Sequence, residues 1–249
     1  MNLDRVIAVR TNETVYRDGM QCVKVFGDGF TKADALGEAL NQARVEECGL
    51  HVPKVLEVSQ VDGKWAFVTE YIQGKTLERL IAEEPEQKEA LLERMADLQV
   101  EMISKTCPLL SRLREELESR IARAELPATT RCDLFFRLQE IPAEYQICHG
   151  DFNPSNIVLT REDELYLLDW SHASQGNAAA DAANAWLWFQ LAGDAQGAGR
   201  YLECFSQKTG IDPAMIQKWI PIVAAARSAE SGERERTFLL NLVNGEDYE

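Results

Sequence analysis

A stretch in the second half of the chain carries residues whose types and spacing could do chemistry. Asp151 lies five residues before Asn156, in a loop kept irregular by Gly150 and Pro154, and Asp169 follows a later apolar run. A carboxylate in such a loop, close to a metal but not bound to it, could accept a proton from an attacking hydroxyl. Asn156 and Asp169 offer oxygen ligands of the kind that Mg²⁺ prefers.

A hairpin is predicted to bring these oxygen ligands together. Two short apolar runs flank the polar segment 161–164, which is the pattern of two strands joined by a turn. If Thr160 opposes Leu165, antiparallel pairing places Asn156 opposite Asp169, and directly opposed residues have Cβ atoms about 5 Å apart. The carboxylate and the amide oxygen would then meet at the open end of the hairpin.

The elements before this stretch are predicted to be strands around one helix. Asp18-Gly19 and Asp62-Gly63 favour tight hairpin turns, and strand-like runs flank each dipeptide. A capping-box pattern at Thr31–Asp34 predicts a helix that runs to about Gly49. Lys24 lies on the strand before that helix, on the face opposite to its immediate neighbours.

From Gln73 onward the pattern changes to long helices, because apolar residues recur at helical spacing. Strand-like runs return only within residues 146–169. The sequence therefore predicts an α+β fold with a β-rich N-terminal lobe, residues 1–72, and a mostly helical C-terminal lobe, residues 73–249.

The motif His-Gly-Asp-x-x-x-x-Asn at residues 149–156, followed by Asp169-Trp170, resembles the aminoglycoside phosphotransferase and choline kinase family. This family is related to the protein kinases, whose H-R-D-x-x-x-x-N and D-F-G elements it parallels. The resemblance implies a protein-kinase-like bilobal fold, with an antiparallel N-terminal sheet and one helix. It also implies that Asp151 is the catalytic base, that Asn156 and Asp169 hold Mg²⁺, and that His149 supports the loop.

Weaker motifs extend the resemblance into the N-terminal lobe. Lys24 is similar to the lysine that contacts the nucleotide phosphates, and Glu38 is our candidate for its ion-pair partner. Glu46 and Glu47 are rivals for that role. The family's Gly-rich phosphate loop has no counterpart in residues 10–14, which contain no glycine.

Two further segments resemble family elements. Residues 67–74 are similar to the hinge where backbone groups of Glu70, Tyr71 and Ile72 would meet the adenine. The segment from Asp181 to Asn184 is similar to the family's helix after the metal-binding aspartate. No role for an individual side chain is predicted in that helix.

The resemblance implies an ATP-dependent small-molecule kinase with ATP and Mg²⁺ as cofactors. The N-terminal lobe would bind the nucleotide, and the C-terminal lobe would carry the catalytic loop and the acceptor site. The acceptor would be a hydroxyl of an amino-alcohol, an aminoglycoside or a sugar-like compound. Transfer of the γ-phosphate would rely mainly on positioning and electrostatics.

Three other functions are weaker alternatives. A nucleotide-binding regulatory module without turnover fits the missing Gly-rich loop, but the complete set of Asp151, Asn156 and Asp169 argues against it. A protein kinase is disfavoured because no activation segment is evident between Asp169 and Asp181. A metal hydrolase is disfavoured because His149 has no second histidine ligand nearby in the sequence.

The balance of charged residues narrows the classes of partner that the protein is expected to bind. The chain has 26 Lys and Arg against 41 Asp and Glu, a net charge of −15. This charge argues against nucleic acid and membrane partners and slightly favours a cationic acceptor. The sequence begins without a signal-peptide pattern and has no apolar run of the roughly 18 residues that span a bilayer. We therefore expect a cytoplasmic protein.

Overall fold

The computed structural model describes residues 3, 5–10 and 12–245. Contacts within the chain divide it into two units, and each unit takes two segments of the sequence. The first unit contains residues 1–80 and 155–172, and the second contains residues 81–154 and 173–249. The metal-ligand segment predicted around Asn156 and Asp169 thus groups with the N-terminal part of the chain.

The described residues form short strands and nine helices of more than one turn. The strands are β1 Arg5–Arg10, β2 Glu13–Asp18, β3 Gln21–Phe26, β4 Val55–Val61, β5 Lys64–Glu70, β6 Gly74–Thr76, β7 Gln146–Cys148, β8 Ile157–Thr160, β9 Leu165–Leu167 and β10 Ser174–Gly176. The helices are α1 Lys32–Glu46, α2 Leu77–Glu83, α3 Lys88–Ile103, α4 Leu113–Arg123, α5 Ala128–Glu140, α6 Ala178–Leu191, α7 Ala195–Thr209, α8 Pro213–Ser228 and α9 Glu233–Asn244.

The first unit is built on an antiparallel five-stranded sheet in the order β1-β2-β3-β5-β4. Its β4–β5 turn has positive φ at both Asp62 and Gly63, as the tight hairpin predicted there requires. Helix α1 begins with a complete capping box between Thr31 and Asp34. It ends at Glu46, slightly before the predicted end.

Helix α1 packs on this sheet through small side chains. Ala35 and Ala39 are buried against Phe26 and Phe67 of the sheet. Because alanine lets a helix approach its neighbour closely, polar residues on the same face of α1 come within reach of side chains on β3. This packing positions Glu38 for the contact described below.

A second sheet of the first unit joins β6, β8 and β9. The β8–β9 hairpin forms, but its predicted register is wrong by one residue: Ile157 pairs with Leu167, and the N–H of Leu168 donates to Asn156 O at 2.8 Å. The cause is the turn, because Thr160 bonds to Glu164 and leaves a three-residue loop that ends in a left-handed residue, Asp163. Asn156 therefore does not oppose Asp169.

The second unit is mostly helical, with α6 at its centre. Helix α6 contacts α7 and α8, and its residues Ala178–Ala185 are all buried. The alanines of this segment let the neighbouring helices approach closely and enclose one charged residue, Asp181. Strands β7 and β10 pair beside it, and β7 leads directly into the loop of residues 149–156. No helix in the described part of the chain is long and apolar enough to cross a membrane.

Candidate active site

Lys24 is the centre of a charged cluster in the first unit. Its Nζ atom lies 2.8 Å from Glu38 Oε1, 3.0 Å from Glu13 Oε2 and 3.1 Å from Asp169 Oδ1. The side chain of Lys24 is only 11% exposed. Three carboxylate oxygens thus surround an ammonium group that has three N–H bonds to donate.

The structure brings together the lysine and the glutamate that the sequence paired. Glu38 is buried on the face of α1 that packs on the sheet, because it follows Ala35 by one helical turn. The rival Glu46 is occupied elsewhere, since it accepts a hydrogen bond from Val55 N. Glu47 is the C-cap residue of α1. The role of the Lys24–Glu38 pair in nucleotide binding stays a prediction.

Asp169 enters this cluster from a bend that follows β9. Its backbone has φ +62°, a left-handed conformation that costs a non-glycine residue about 1–2 kcal/mol. The next side chain, Trp170, is fully buried and donates from Nε1 to Leu167 O at 3.0 Å. This buried indole fixes the bend and thereby the direction of the Asp169 carboxylate.

Arg10, at the end of β1, contacts both of the predicted metal ligands. Its Nη1 lies 2.6 Å from Asp169 Oδ2, and its Nη2 lies 3.4 Å from Asn156 Oδ1. The same Nη1 is 3.3 Å from Glu13 Oε1. Sequence reasoning missed this arginine, because residues 10–14 were considered only for their lack of glycines; Thr11 of that segment lies outside the described residues.

The charged groups of the cluster shift one another's pKa values. Burial alone would raise the pKa of Asp169, but Lys24 and Arg10 hold it well below its ordinary value. Burial would lower the pKa of Lys24, but Asp169, Glu38 and Glu13 raise it above its ordinary value. Burial raises the pKa of Glu38 to about 7, although the charge of Lys24 opposes this. Asp169 is therefore anionic and Lys24 cationic near neutral pH.

The donor set of Asn156 and Asp169 fits a hard divalent cation. The amide oxygen of Asn156 and the carboxylate of Asp169 both contact the guanidinium group of Arg10, so the two oxygens are close enough to share one cation. Among the described residues no three His, Cys, Asp or Glu side chains cluster as metal ligands. Mg²⁺ at this place would therefore use these two side chains and complete its coordination with phosphate or water oxygens.

The predicted hinge, residues 67–74, overlaps the end of β5 in the same unit. The N–H of Glu70 donates to Lys54 O and that of Tyr71 donates to Met20 O, both at 2.9 Å. These two donors are therefore engaged within the fold. Ile72 is the member of the predicted set whose backbone N–H has no such bond in the described chain.

In the second unit, Asp181 holds the 149–156 loop. Its Oδ2 accepts the backbone N–H of His149 and its Oδ1 that of Gly150, both at 2.7 Å. His149 is fully buried, and its Nδ1 accepts the N–H of Asp151 at 3.2 Å. This bond lies within the predicted catalytic loop, and the role of His149 as its support stays a prediction. The structure also reveals Asp181 as a support of the loop, although the sequence had assigned it no role.

Asp181 differs electrostatically from Asp169. It is 1% exposed, and burial raises its pKa above the ordinary value. The side chain of His149 and the backbone N–H groups of His149 and Gly150 act in the opposite direction without cancelling the effect of burial. Asp181 therefore acts chiefly as a hydrogen-bond acceptor for the backbone of the loop.

The carboxylate of Asp151 is held from helix α8. Arg227 Nη1 lies 3.4 Å from Asp151 Oδ1, and Arg227 Nε lies 3.1 Å from Glu235 Oε1 on α9. The backbone oxygen of Asp151 accepts a bond from Asn153 Nδ2 at 2.9 Å. Sequence reasoning missed Arg227, which is far from the motif in the chain and has no local pattern around it.

Two cavities open in the second unit, of about 540 and 280 Å³. They share four lining residues, Ile141, Pro142, Glu144 and Asn177. Asp151 lines neither of them, so neither cavity is by itself the acceptor site for a base at this position.

Comparison with known proteins finds a family match over most of the chain. A model of the phosphotransferase enzyme family (APH) matches residues 9–215. No protein of curated function matches the sequence significantly. The family match confirms the resemblance drawn from residues 149–156 and Asp169-Trp170, and with it the prediction of a kinase-type phosphotransferase.

Solved structures of such enzymes share the fold. A thermostable mutant of aminoglycoside phosphotransferase APH(4)-Ia superposes with a TM-score of 0.72 at 15% identity, covering 96% of this chain and 92% of that one. A ternary complex of such a mutant with AMP-PNP and hygromycin B gives 0.70 at 13% identity, covering 96% and 91%. Choline kinase LicA from Streptococcus pneumoniae gives 0.65 at 18% identity, covering 98% and 95%. These likenesses confirm the predicted α+β protein-kinase-like fold.

Proposed function

Because the chain belongs to the phosphotransferase enzyme family, we propose that it is an ATP-dependent small-molecule kinase. It transfers the γ-phosphate to a hydroxyl of an amino-alcohol, aminoglycoside or sugar-like acceptor. The observation that carries this proposal is the cluster in the first unit, where Lys24 contacts Glu38 and Asp169 while Asp169 and Asn156 share one cationic partner.

In this proposal the residues of the first unit bind the nucleotide. Lys24 contacts the phosphates and Glu38 orients it, while the backbone of Ile72 meets the adenine. Asn156 and Asp169 hold Mg²⁺, which neutralises charge on the β- and γ-phosphates when it is bound. These groups stabilise charge that develops during transfer, and such preorganised electrostatics commonly supply the largest part of catalysis.

The 149–156 loop supplies the base. Asp151 accepts the proton of the acceptor hydroxyl while the hydroxyl oxygen attacks the γ-phosphorus, the bond from the γ-phosphorus to the bridging oxygen breaks, and ADP leaves. Asp181 and His149 fix the backbone on which this carboxylate is mounted. Arg227 contacts one carboxylate oxygen, Oδ1, and thereby orients the other toward the acceptor.

Two observations support the nucleotide and the acceptor class. APH(4)-Ia, which shares this fold, has been solved with AMP-PNP and hygromycin B, and another structure with this fold is a choline kinase. The net charge of −15 favours a cationic acceptor over an anionic one.

Residues 1–72 would form the nucleotide-binding lobe and residues 73–249 the lobe that carries the acceptor site.

The runner-up is a nucleotide-binding regulatory module without turnover. It is favoured by the pairing of Arg10 with Glu13 at the ends of β1 and β2, because residues only three positions apart leave no room for a Gly-rich loop between these strands. Such a module would gain thermal stability from Mg·ATP and release no ADP with any acceptor.

Acceptor-stimulated ADP release tests the proposal. Purified protein is incubated with Mg·ATP and a panel of aminoglycosides, choline, ethanolamine and amino sugars. Asp151→Asn is expected to lower kcat by about 10²–10⁴-fold, because the amide cannot accept the proton, and to leave ATP affinity unchanged. The matched control is Asp133→Asn, which removes an exposed aspartate of α5.

Three outcomes distinguish the candidates. Stimulated release that is lost in Asp151→Asn but kept in Asp133→Asn supports the kinase and identifies its acceptor class. Binding of Mg·ATP without release across the panel favours the regulatory module. Absence of nucleotide binding contradicts both.

A further inference from the structure

The hairpin of β1 and β2 contributes two charges to the predicted nucleotide site. Arg10 and Glu13 face each other across the turn and contact each other at 3.3 Å. The guanidinium group of Arg10 contacts Asp169 and Asn156, which are the proposed metal ligands. The carboxylate oxygen Glu13 Oε2 lies 3.0 Å from Nζ of Lys24, which is the proposed phosphate ligand.

Each contact uses an atom that the proposed ligand would need. Arg10 is bonded to the same carboxylate and amide oxygens that would coordinate Mg²⁺. Lys24 has three N–H bonds and three carboxylate neighbours within 3.1 Å, so a phosphate oxygen can bond to it only if one neighbour withdraws. Asp169 and Glu38 have roles of their own in the proposed site. Glu13 is therefore the neighbour that withdraws.

We propose that Arg10 and Glu13 limit the nucleotide affinity of this chain by standing in for the ligand's own charges. Arg10 takes the place of the metal cation on Asp169 and Asn156, and Glu13 takes the place of a phosphate on Lys24. This inference rests on the proposed function, because it assumes that Mg²⁺-bound nucleotide enters at these residues. The two side chains leave together when the nucleotide binds, since one short turn carries both.

The exposure of Arg10 is suited to such an exchange. Arg10 is 44% exposed, whereas Glu13 is 14% exposed, Lys24 is 11% exposed and Glu38 is 9% exposed. Arg10 can move into solvent without opening the core, while Lys24 and Glu38 are fixed by packing between β3 and α1. The exchange thus affects the hairpin and leaves the rest of the cluster in place.

Binding of Mg·AMP-PNP, measured by isothermal titration calorimetry, tests this inference in the full chain. Arg10→Met keeps a long unbranched side chain but removes the charge and its donors, and Glu13→Gln removes only the charge. Each variant is expected to bind Mg·AMP-PNP about fivefold more tightly than the wild type, since each removes one of several ion pairs in the cluster. The double variant is expected to gain less than the product of the two, because the contacts are released in one event.

The sign of the Arg10→Met effect separates this inference from simple charge counting. Loss of a positive charge should weaken the binding of an anionic nucleotide if Arg10 only attracts it. If Arg10 instead occupies the metal ligands, its removal frees Asp169 and Asn156 and strengthens the binding of Mg·AMP-PNP. A second readout is Mn²⁺ binding without nucleotide, followed by electron paramagnetic resonance, which Arg10→Met is expected to tighten and Glu13→Gln is not.

Matched controls are available in the same sheet. Arg5→Met removes an exposed arginine from β1, and Glu57→Gln removes an exposed glutamate from β4. Both are expected to bind Mg·AMP-PNP as the wild type does. Thermal unfolding of every variant verifies that it is folded, and Arg10→Gln serves as a second variant if Arg10→Met is not.

The outcomes separate this inference from the function on which it rests. Tighter nucleotide binding by Arg10→Met and by Glu13→Gln, with unchanged controls, supports it. Equal or weaker binding by Arg10→Met, while the wild type binds Mg·AMP-PNP, overturns it and leaves the proposed function intact. A wild type that binds no Mg·AMP-PNP overturns the proposed function as well.

Discussion

Two aspartates, one in each unit, are held in opposite ways. Asp169 in the first unit is bonded to the side-chain cations Lys24 and Arg10, whereas Asp181 in the second unit is bonded to the backbone N–H groups of His149 and Gly150. Burial alone would raise the pKa of both. The two cations reverse this effect for Asp169, while burial prevails for Asp181.

The difference indicates which carboxylate can exchange its partners. A side-chain cation can be replaced by another cation while the backbone stays in place, so Asp169 can accept a metal ion at the cost of one ion pair. A backbone N–H cannot leave Asp181 unless the loop itself changes conformation. We therefore expect Asp169 to matter for ligand binding and catalysis, and Asp181 to matter for stability.

Asp169→Asn is expected to have the largest effect. The amide loses the charge that would bind Mg²⁺, so the rate of phosphate transfer should fall by about 10³-fold. The free energy of unfolding should also fall, by about 2 kcal/mol, because Lys24 and Arg10 lose their interaction with the charge of Asp169. Steady-state kinetics and urea unfolding measure the two quantities on one preparation. A loss of phosphate transfer no larger than that of Asp181→Asn would contradict the division of roles.

Asp181→Asn is expected to act mainly on stability. Asparagine can accept only one of the two loop N–H bonds and presents its own NH₂ group to the other, which leaves a buried donor without an acceptor. The free energy of unfolding should fall by about 2 kcal/mol. Urea unfolding measures it, with the exposed Asp133→Asn as the control. Unchanged stability would show that the loop does not depend on Asp181.

A smaller effect should appear in the pH dependence of stability. Because burial raises the pKa of Asp181 above its ordinary value of 3.8, the folded state binds a proton more readily than the unfolded state does. The contribution of this group to stability is complete below that value and is lost as the pH rises through the folded pKa. The stability advantage of the wild type over Asp181→Asn should therefore decrease as the pH rises from about 4. A constant difference across that range would contradict the assigned direction.

Local patterns in the sequence were sufficient for many elements. The capping box at Thr31–Asp34, the tight turn at Asp62-Gly63 and the proximity of Lys24 to Glu38 depend on short segments and one helix face, and all three are present. The register of the β8–β9 hairpin was not predictable in this way. It depends on Asp163 adopting a left-handed conformation, which shortened the loop and shifted each pair by one residue.

The side chains that complete the site came from distant parts of the chain. Arg10 reaches Asp169 across 159 positions and Arg227 reaches Asp151 across 76. Neither arginine lies in a recognisable motif, and strands and helices carry many arginines that only face solvent. Asp181 lay in a segment that resembled the family, but its burial and its two backbone partners are consequences of how α6 packs.

The interleaved order of the two units has a consequence for synthesis of the protein. The first unit is completed by residues 155–172, which leave the ribosome only after the first half of the second unit has been made. Since domains generally fold as units during synthesis, the first unit can finish folding only after this long delay. A fragment that ends at residue 80 would contain Lys24 and Glu38 but neither Asn156 nor Asp169. Neither unit can therefore be obtained by a single cut in the chain.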